Sequence, residues 1–139
     1  MRLFGRTKPP KVYVDAKILN MHLPSLTRRA YVGYVVERDG RQNVKEVNAT
    51  ESDDAEVLAI LFAIDELKGS LGRFTVVCDH ESVVSEANRD AVKSPSEFLL
   101  RLREILQENR SIRLEALMSN PAHGVLTEYV NKMSSGPQG

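Results

Sequence analysis

Three acidic residues occupy positions where the surrounding sequence is apolar. Asp15 lies within the apolar run 12–19, and Asp79 directly follows the apolar run 74–78. Glu56 lies on the apolar stripe of a segment with helical periodicity. A carboxylate that faces a core is costly unless it is paired or binds a metal. Because Mg²⁺ prefers carboxylate oxygens, the three acids predict a shared site for a divalent cation.

Each acid also has a structural interpretation when it is taken alone. Asp15 could pair with Lys17 or with a nearby arginine. Glu56 could interact with the positive end of its helix dipole, and Asp79 could cap the helix that follows it. The metal-site interpretation depends on all three acids meeting, because like charges held close together repel strongly unless a cation neutralises them.

The elements that must position these acids follow from hydrophobic periodicity. The sequence predicts the order βββ-α-β-α-α-β-α, with Asp39-Gly40 as a hairpin turn and Gly69 as the end of the first helix. The predicted strands cover about 11–19, 29–37, 41–48, 73–78 and 112–118, and the predicted helices cover about 52–68, 80–90, 96–109 and 123–133.

Strands that alternate with helices after a meander predict an α/β fold of the α+β-like kind. The expected architecture is a five-stranded mixed sheet with helices on both faces. The period of two in the first strand places Tyr13, Asp15 and Lys17 on one face. The helical period places Glu56 and Ile60 on the buried stripe near the helix start, so we expect Glu56 to approach Asp15 and Asp79.

Length and composition predict one globular domain at 11–133, with a flexible basic arm at 1–10 and a disordered tail at 134–139. The chain is 42% hydrophobic and 27% charged, which is typical of globular proteins. It has no apolar run of the roughly 20 residues that span a bilayer and no secretory signal. The single Cys78 fits a reducing compartment. We therefore expect a cytoplasmic protein without a membrane partner. The sequence leaves the oligomeric state open and favours a monomer only slightly.

The charge of the chain is unevenly distributed although its net value is zero. Residues 1–36 contain seven of the 19 basic residues and one of the 19 acidic residues, Asp15. This basic region could attract a phosphate backbone to the acidic site. It could equally be a solvated edge that limits association between sheets.

The chain resembles the ribonuclease H family over residues 11–133. The resemblance is carried by the first-strand Asp15, by Glu56 followed by apolar residues in the first helix, and by Asp79 at the end of the fourth strand. Family members usually have a fourth acid, an aspartate, in the last helix, and Glu128 takes that place here. His123 lies near the position of a mobile histidine that assists turnover in many members.

The resemblance implies an endonuclease that hydrolyses the RNA strand of RNA/DNA hybrids with two Mg²⁺ or Mn²⁺ ions, roughly 4 Å apart. It implies that Asp15 bridges both ions and that Glu56 and Asp79 hold the ion on the leaving-group side. Glu128 would hold the ion that carries the attacking water, and His123 would have an auxiliary catalytic role.

Several departures from the family pattern favour a different class of function. Ala16 replaces the glycine that follows the first aspartate in many members, and Asp53 replaces an asparagine that contacts the RNA strand. Together with Glu128, these changes favour a catalytically weak module that binds nucleic acid or a protein partner without cleavage. The complete set of Asp15, Glu56 and Asp79 favours the enzyme.

Overall fold

The computed structural model describes residues 8–19, 29–49, 51–88, 96–117 and 121–134. Most of the predicted arm at 1–10 and all but the first residue of the predicted tail at 134–139 lie outside these ranges. The strands are β1 (Lys11–Leu19), β2 (Arg29–Val36), β3 (Gln42–Val47), β4 (Phe74–Cys78) and β5 (Ile112–Ala116), and the helices are α1 (Ser52–Leu71), α2 (Glu81–Asn88), α3 (Glu97–Glu108) and α4 (Ala122–Ser134). None of these described helices is both long and apolar enough to cross a membrane.

The strands form one mixed sheet in the order β3-β2-β1-β4-β5. β1 is the central strand, antiparallel to β2 and parallel to β4, and the outer pairs β2–β3 and β4–β5 are antiparallel and parallel respectively. The predicted α/β fold, its element order and its antiparallel meander are therefore confirmed.

The register of the central strands brings two of the acids to the same level of the sheet. Asp15 is opposite Gly33 on β2, and Tyr13 is the partner of Val77 on β4. Extending the β1–β4 register by two residues places Asp79 beside Asp15. This level is the carboxyl end of β4, where ligands of such sheets commonly bind.

Helices cover both faces of the sheet, as predicted. On one face, Val12 and Val14 of β1 pack in the main core with the buried residues of α1, and α3 packs on the outside of α1. On the other face, Tyr13 and Val77 pack against Ala122 of α4. Because side chains alternate along a strand, Asp15 projects toward the α4 face together with Tyr13.

The helix α4 approaches the sheet most closely at Gly33. A Cβ atom on Gly33 would lie 3.1 Å from Cγ2 of Val44 and 3.3 Å from both the Asn43 carbonyl oxygen and Cδ1 of Leu126. The absence of a side chain at Gly33 therefore allows the first half of α4 to pack directly over the residue opposite Asp15.

The prediction that Gly69 ends α1 was wrong, because the helix continues to Leu71. Gly72 is the residue that follows it, with a φ of 69° that residues with a Cβ rarely adopt. Gly69 is tolerated inside the helix at a cost of roughly 1 kcal/mol relative to alanine.

Candidate metal centre

The structure brings Asp15, Glu56 and Asp79 together. Each offers a carboxylate oxygen, and these oxygens all lie within 4.8 Å of one another. Asp15 and Glu56 are each only 4% exposed, whereas Asp79 is exposed to solvent. The cluster is therefore a concentration of negative charge with two buried members and one member open to a ligand.

Asp15 reaches the cluster from the middle of the central strand. Its side chain does not pair with Lys17, which was one structural interpretation; its Oδ2 lies 2.9 Å from Nδ1 of His123. Burial raises the pKa of Asp15 above its ordinary value, and the hydrogen bond to His123 opposes that rise. Asp15 is thus held in place by His123 and still offers a carboxylate oxygen to the cluster.

Glu56 reaches the cluster from the second turn of α1, on the stripe that contains Ile60, Ala63 and Ile64. Burial, and then the charges of Asp15, Asp79 and Asp53, raise the pKa of Glu56 to about 8. Its Oε1 atom is buried and has no hydrogen-bond partner among the described residues.

The unpartnered oxygen of Glu56 shows whether the residues present suit a metal ion. A buried carboxylate oxygen without a hydrogen bond is costly, and two further carboxylates beside it increase the cost of ionisation. A divalent cation would satisfy the oxygen and neutralise the cluster at the same time. The donor set consists of carboxylates only, which suits hard cations such as Mg²⁺ and Mn²⁺. The residues fit such an ion.

Cys78 precedes Asp79 but is not part of the donor set. It is fully buried in β4, and burial raises the pKa of its thiol to about 12. A neutral buried thiol is typical of a cysteine that packs as a small core residue.

His123 and Glu128 lie on different sides of α4. His123 is the second residue of the helix and contacts Asp15, although its side chain is 70% exposed. Glu128 lies five residues later, roughly 140° around the helix axis. It is also 70% exposed, and its Oε1 lies 3.3 Å from Nζ of Lys132.

The structure therefore does not bring Glu128 to the other three acids, where the family pattern led us to expect it. Glu128 instead lines a groove with Lys132 and with residues of β3, including Asn43. The physical reason is the face of α4 that packs on the sheet: Ala122, Leu126 and Val130 form the buried stripe. This stripe leaves the first-turn His123 near the cluster and directs Glu128 away from it.

A hydrogen-bonded network of three polar side chains beside the cluster was not predicted. Oδ1 of Asp53 lies 3.0 Å from Nε2 of His80, and Nδ1 of His80 lies 3.1 Å from Oγ of Ser82. Apart from the histidine that follows Asp79, the sequence contains no signal for this network. Asp53 and His80 belong to different elements, and their contact depends on how these elements pack.

Comparison with solved structures identifies the fold. The structure of the foamy viral protease-reverse transcriptase in complex with dsDNA matches with a TM-score of 0.66 over 91% of this chain and 94% of that chain. The fold is ribonuclease H-like. The identity is 16%, so the likeness shows the architecture alone. No protein-family model and no curated protein matches the sequence.

In this ribonuclease H-like fold, the acid cluster lies at the end of β4 and beside the first turns of α1 and α4. Residues from four separate elements therefore meet at one end of the sheet. The described site is open to solvent through Asp79 and His123.

Proposed function

We propose that the chain is a metal-dependent nuclease of the ribonuclease H type that hydrolyses the RNA strand of RNA/DNA hybrids. The observation that carries the proposal is the set of carboxylates from Asp15, Glu56 and Asp79 within 4.8 Å, with Oε1 of Glu56 unpartnered. The ribonuclease H-like fold supports a nucleic-acid substrate. The proposed cofactor is Mg²⁺ or Mn²⁺, with two ions in the complex with substrate.

Asp15, Glu56 and Asp79 are the residues that would hold the metal. Bound divalent ions supply the positive charge that activates water and stabilises the leaving oxygen in phosphodiester hydrolysis. The chain itself supplies placement, because Asp15 and Glu56 are fixed on buried positions of β1 and α1. Asp79 offers its carboxylate from the exposed edge, where a scissile phosphate has access.

His123 is the stronger candidate for the fourth functional position, with Glu128 as its competitor. The Nδ1 atom of His123 contacts Asp15, which leaves Nε2 on the exposed side of the ring for a water molecule or a substrate oxygen. Glu128 would need to leave Lys132 and approach from another face of α4.

A second candidate function is a binding module without cleavage activity. The position of Glu128 outside the acid cluster favours it, since ribonuclease H resemblance implies four acidic ligands. The negative charge of Asp53 at the edge of the site also opposes a phosphate backbone. The two candidates make different predictions for one assay.

The assay compares cleavage of a labelled RNA/DNA hybrid with duplex DNA, duplex RNA and single-stranded RNA, in Mg²⁺ and in Mn²⁺. We expect cleavage of the hybrid only, and its loss with a chelator or in Asp15→Asn. A hybrid that is bound but remains intact at high protein concentration in both metals would establish the binding module. Cleavage that persists undiminished in purified Asp15→Asn would place Asp15 outside the catalytic site and contradict the proposed metal centre.

A further inference from the structure

His80 joins two segments that each carry an acid of the cluster. It directly follows Asp79 in the junction between β4 and α2, and its Nε2 lies 3.0 Å from Oδ1 of Asp53. Asp53 lies in the first turn of α1, three residues before Glu56. Through this contact, the junction that carries Asp79 is attached to the helix that carries Glu56.

Asp79 is the acid of the cluster whose position is least fixed by packing. Asp15 and Glu56 are buried within a regular strand and a regular helix, where packing fixes the backbone and side chain. Asp79 is exposed and lies on a bend just beyond β4. The mutual repulsion of three carboxylates acts to push this outer member away from the other two.

The contacts of His80 are mutually consistent with one arrangement of the ring. A neutral imidazole that is protonated on Nε2 donates to the Asp53 carboxylate and accepts on Nδ1 from the Ser82 hydroxyl, which lies 3.1 Å away. Ser82 belongs to the first turn of α2 and therefore fixes the ring from the side opposite α1. The ring is therefore contacted at both nitrogens, by Asp53 at Nε2 and by Ser82 at Nδ1.

We propose that His80 is a positioning residue of the metal centre, whose Nε2 contact with Asp53 holds Asp79 close to Glu56 and preorganises the three carboxylates for a divalent cation. The inference rests on the proposed metal-dependent function and adds a role for two residues outside the donor set. Substitution of a residue that holds a metal ligand in place commonly lowers metal affinity by 10- to 100-fold.

A serine, a histidine and an aspartate in contact also occur in hydrolases with a serine nucleophile. In those enzymes the aspartate is buried, where it stabilises the charged imidazole. Here Asp53 is exposed at the start of α1. The exposure of Asp53 and the adjacency of His80 to Asp79 favour the positioning role.

Two substitutions at one position separate the two contacts of the ring. In His80→Gln, the side-chain amide nitrogen takes the approximate place of Nε2 and can still donate to Asp53. In His80→Asn, the shorter side chain takes the approximate place of Nδ1 and can reach only Ser82. The measurement is the dissociation constant for Mn²⁺, obtained from the free-ion electron paramagnetic resonance signal well below the melting temperature of each variant.

We expect His80→Asn and Asp53→Ala each to weaken Mn²⁺ binding by about 10-fold, and the double variant to be no weaker than either one. His80→Gln and Ser82→Ala both keep the contact with Asp53, so each should weaken Mn²⁺ binding by clearly less than His80→Asn does. The matched control is Asp54→Ala, which removes a neighbouring acid from the same first turn of α1. It should change the affinity by much less than Asp53→Ala does, because no contact with His80 is lost.

Wild-type affinity in His80→Asn would overturn the positioning role, as would an equal loss in Asp54→Ala and Asp53→Ala. An additive loss in the double variant would also overturn it, because it would show that the two residues act separately. A wild-type protein that does not bind Mn²⁺ would instead refute the proposed metal-dependent function. The two failures are therefore distinguishable.

Discussion

The side chains of His123 and Asp15 meet across 108 positions of the sequence, with 2.9 Å between Nδ1 of the histidine and Oδ2 of the aspartate. This contact joins the first turn of the last helix to the central strand at the level of the acid cluster. Any change that shifts α4 should therefore also change the environment of Asp15, even when it lies outside the site.

The substitution Asp15→Asn should remove cleavage activity while leaving the fold intact. The loss should be on the order of 10³-fold or more in kcat/KM, because a metal ion contributes several kcal/mol of charge stabilisation. Without metal, the melting temperature should hold or rise, since a buried carboxyl group beside two others is replaced by a neutral amide. Cleavage of a hybrid and thermal melting in a chelator are the two measurements. Near-normal cleavage by the purified variant would place Asp15 outside the catalytic site.

The variants His123→Ala and Glu128→Gln should have unequal effects. Loss of the Asp15 contact should reduce the cleavage rate by roughly 10- to 100-fold in His123→Ala. Glu128→Gln should remain close to the wild type in rate, because Glu128 pairs with Lys132 at the surface. It should change stability by less than about 1 kcal/mol. The reverse ranking would show that Glu128 moves into the site when metal and substrate bind.

The raised pKa of Glu56 predicts a pH-dependent stability in the absence of metal. The group has an ordinary value of 4.5 and a value of about 8 in the folded protein. The folded state therefore binds more protons than the unfolded state between these values, and the free energy of unfolding should fall by a few kcal/mol as the pH rises from about 4.5 to 8. Denaturant unfolding in a chelator measures this dependence.

Glu56→Gln is the control for that prediction, because it cannot ionise and should flatten the pH dependence. Saturating Mg²⁺ should restore more stability to the wild type near pH 8 than near pH 5, since metal and proton compete for the same carboxylate. Equal slopes for the wild type and Glu56→Gln would assign the pH dependence to another group.

The substitution Gly33→Ala should destabilise the protein and disturb the site. The new methyl group would lie 3.1 Å from Cγ2 of Val44 and 3.3 Å from Cδ1 of Leu126, so that these side chains must shift by a few tenths of an ångström. Overpacking of this kind typically costs about 1 to 3 kcal/mol. The matched control is Gly124→Ala on α4, where a Cβ meets nothing within 4 Å. This substitution should stabilise the helix by up to about 1 kcal/mol. Equal stability of the two variants would show that the contact at Gly33 relaxes freely.

The positions of Asp15, Glu56 and Asp79 could be predicted from local sequence because their faces follow from the period of the element that carries them. A period of two assigns Asp15 to one face of β1, and a period of 3.6 assigns Glu56 to the buried stripe of α1. The level of Asp79 follows from the end of β4. None of these inferences requires knowledge of a distant contact.

The contacts of His123 and His80 could not be predicted in the same way. Which face of α4 meets the sheet depends on the space above Gly33, which Leu126 fills. The contact between His80 and Asp53 depends on how α1 lies relative to the junction after β4. The prediction of where α1 ends was wrong for a local reason. Gly69 and Gly72 could each end the helix, and of these two only Gly72 adopts a positive φ.

The position of α4 at the end of the element order has a consequence during protein synthesis. A nascent chain emerges from the ribosome with its N-terminal part first. It therefore presents Asp15, Glu56 and Asp79 before it presents His123. The three carboxylates of the proposed metal centre are therefore all synthesised before His123, and the face of the sheet that Ala122 and Leu126 cover stays open until the last helix has emerged.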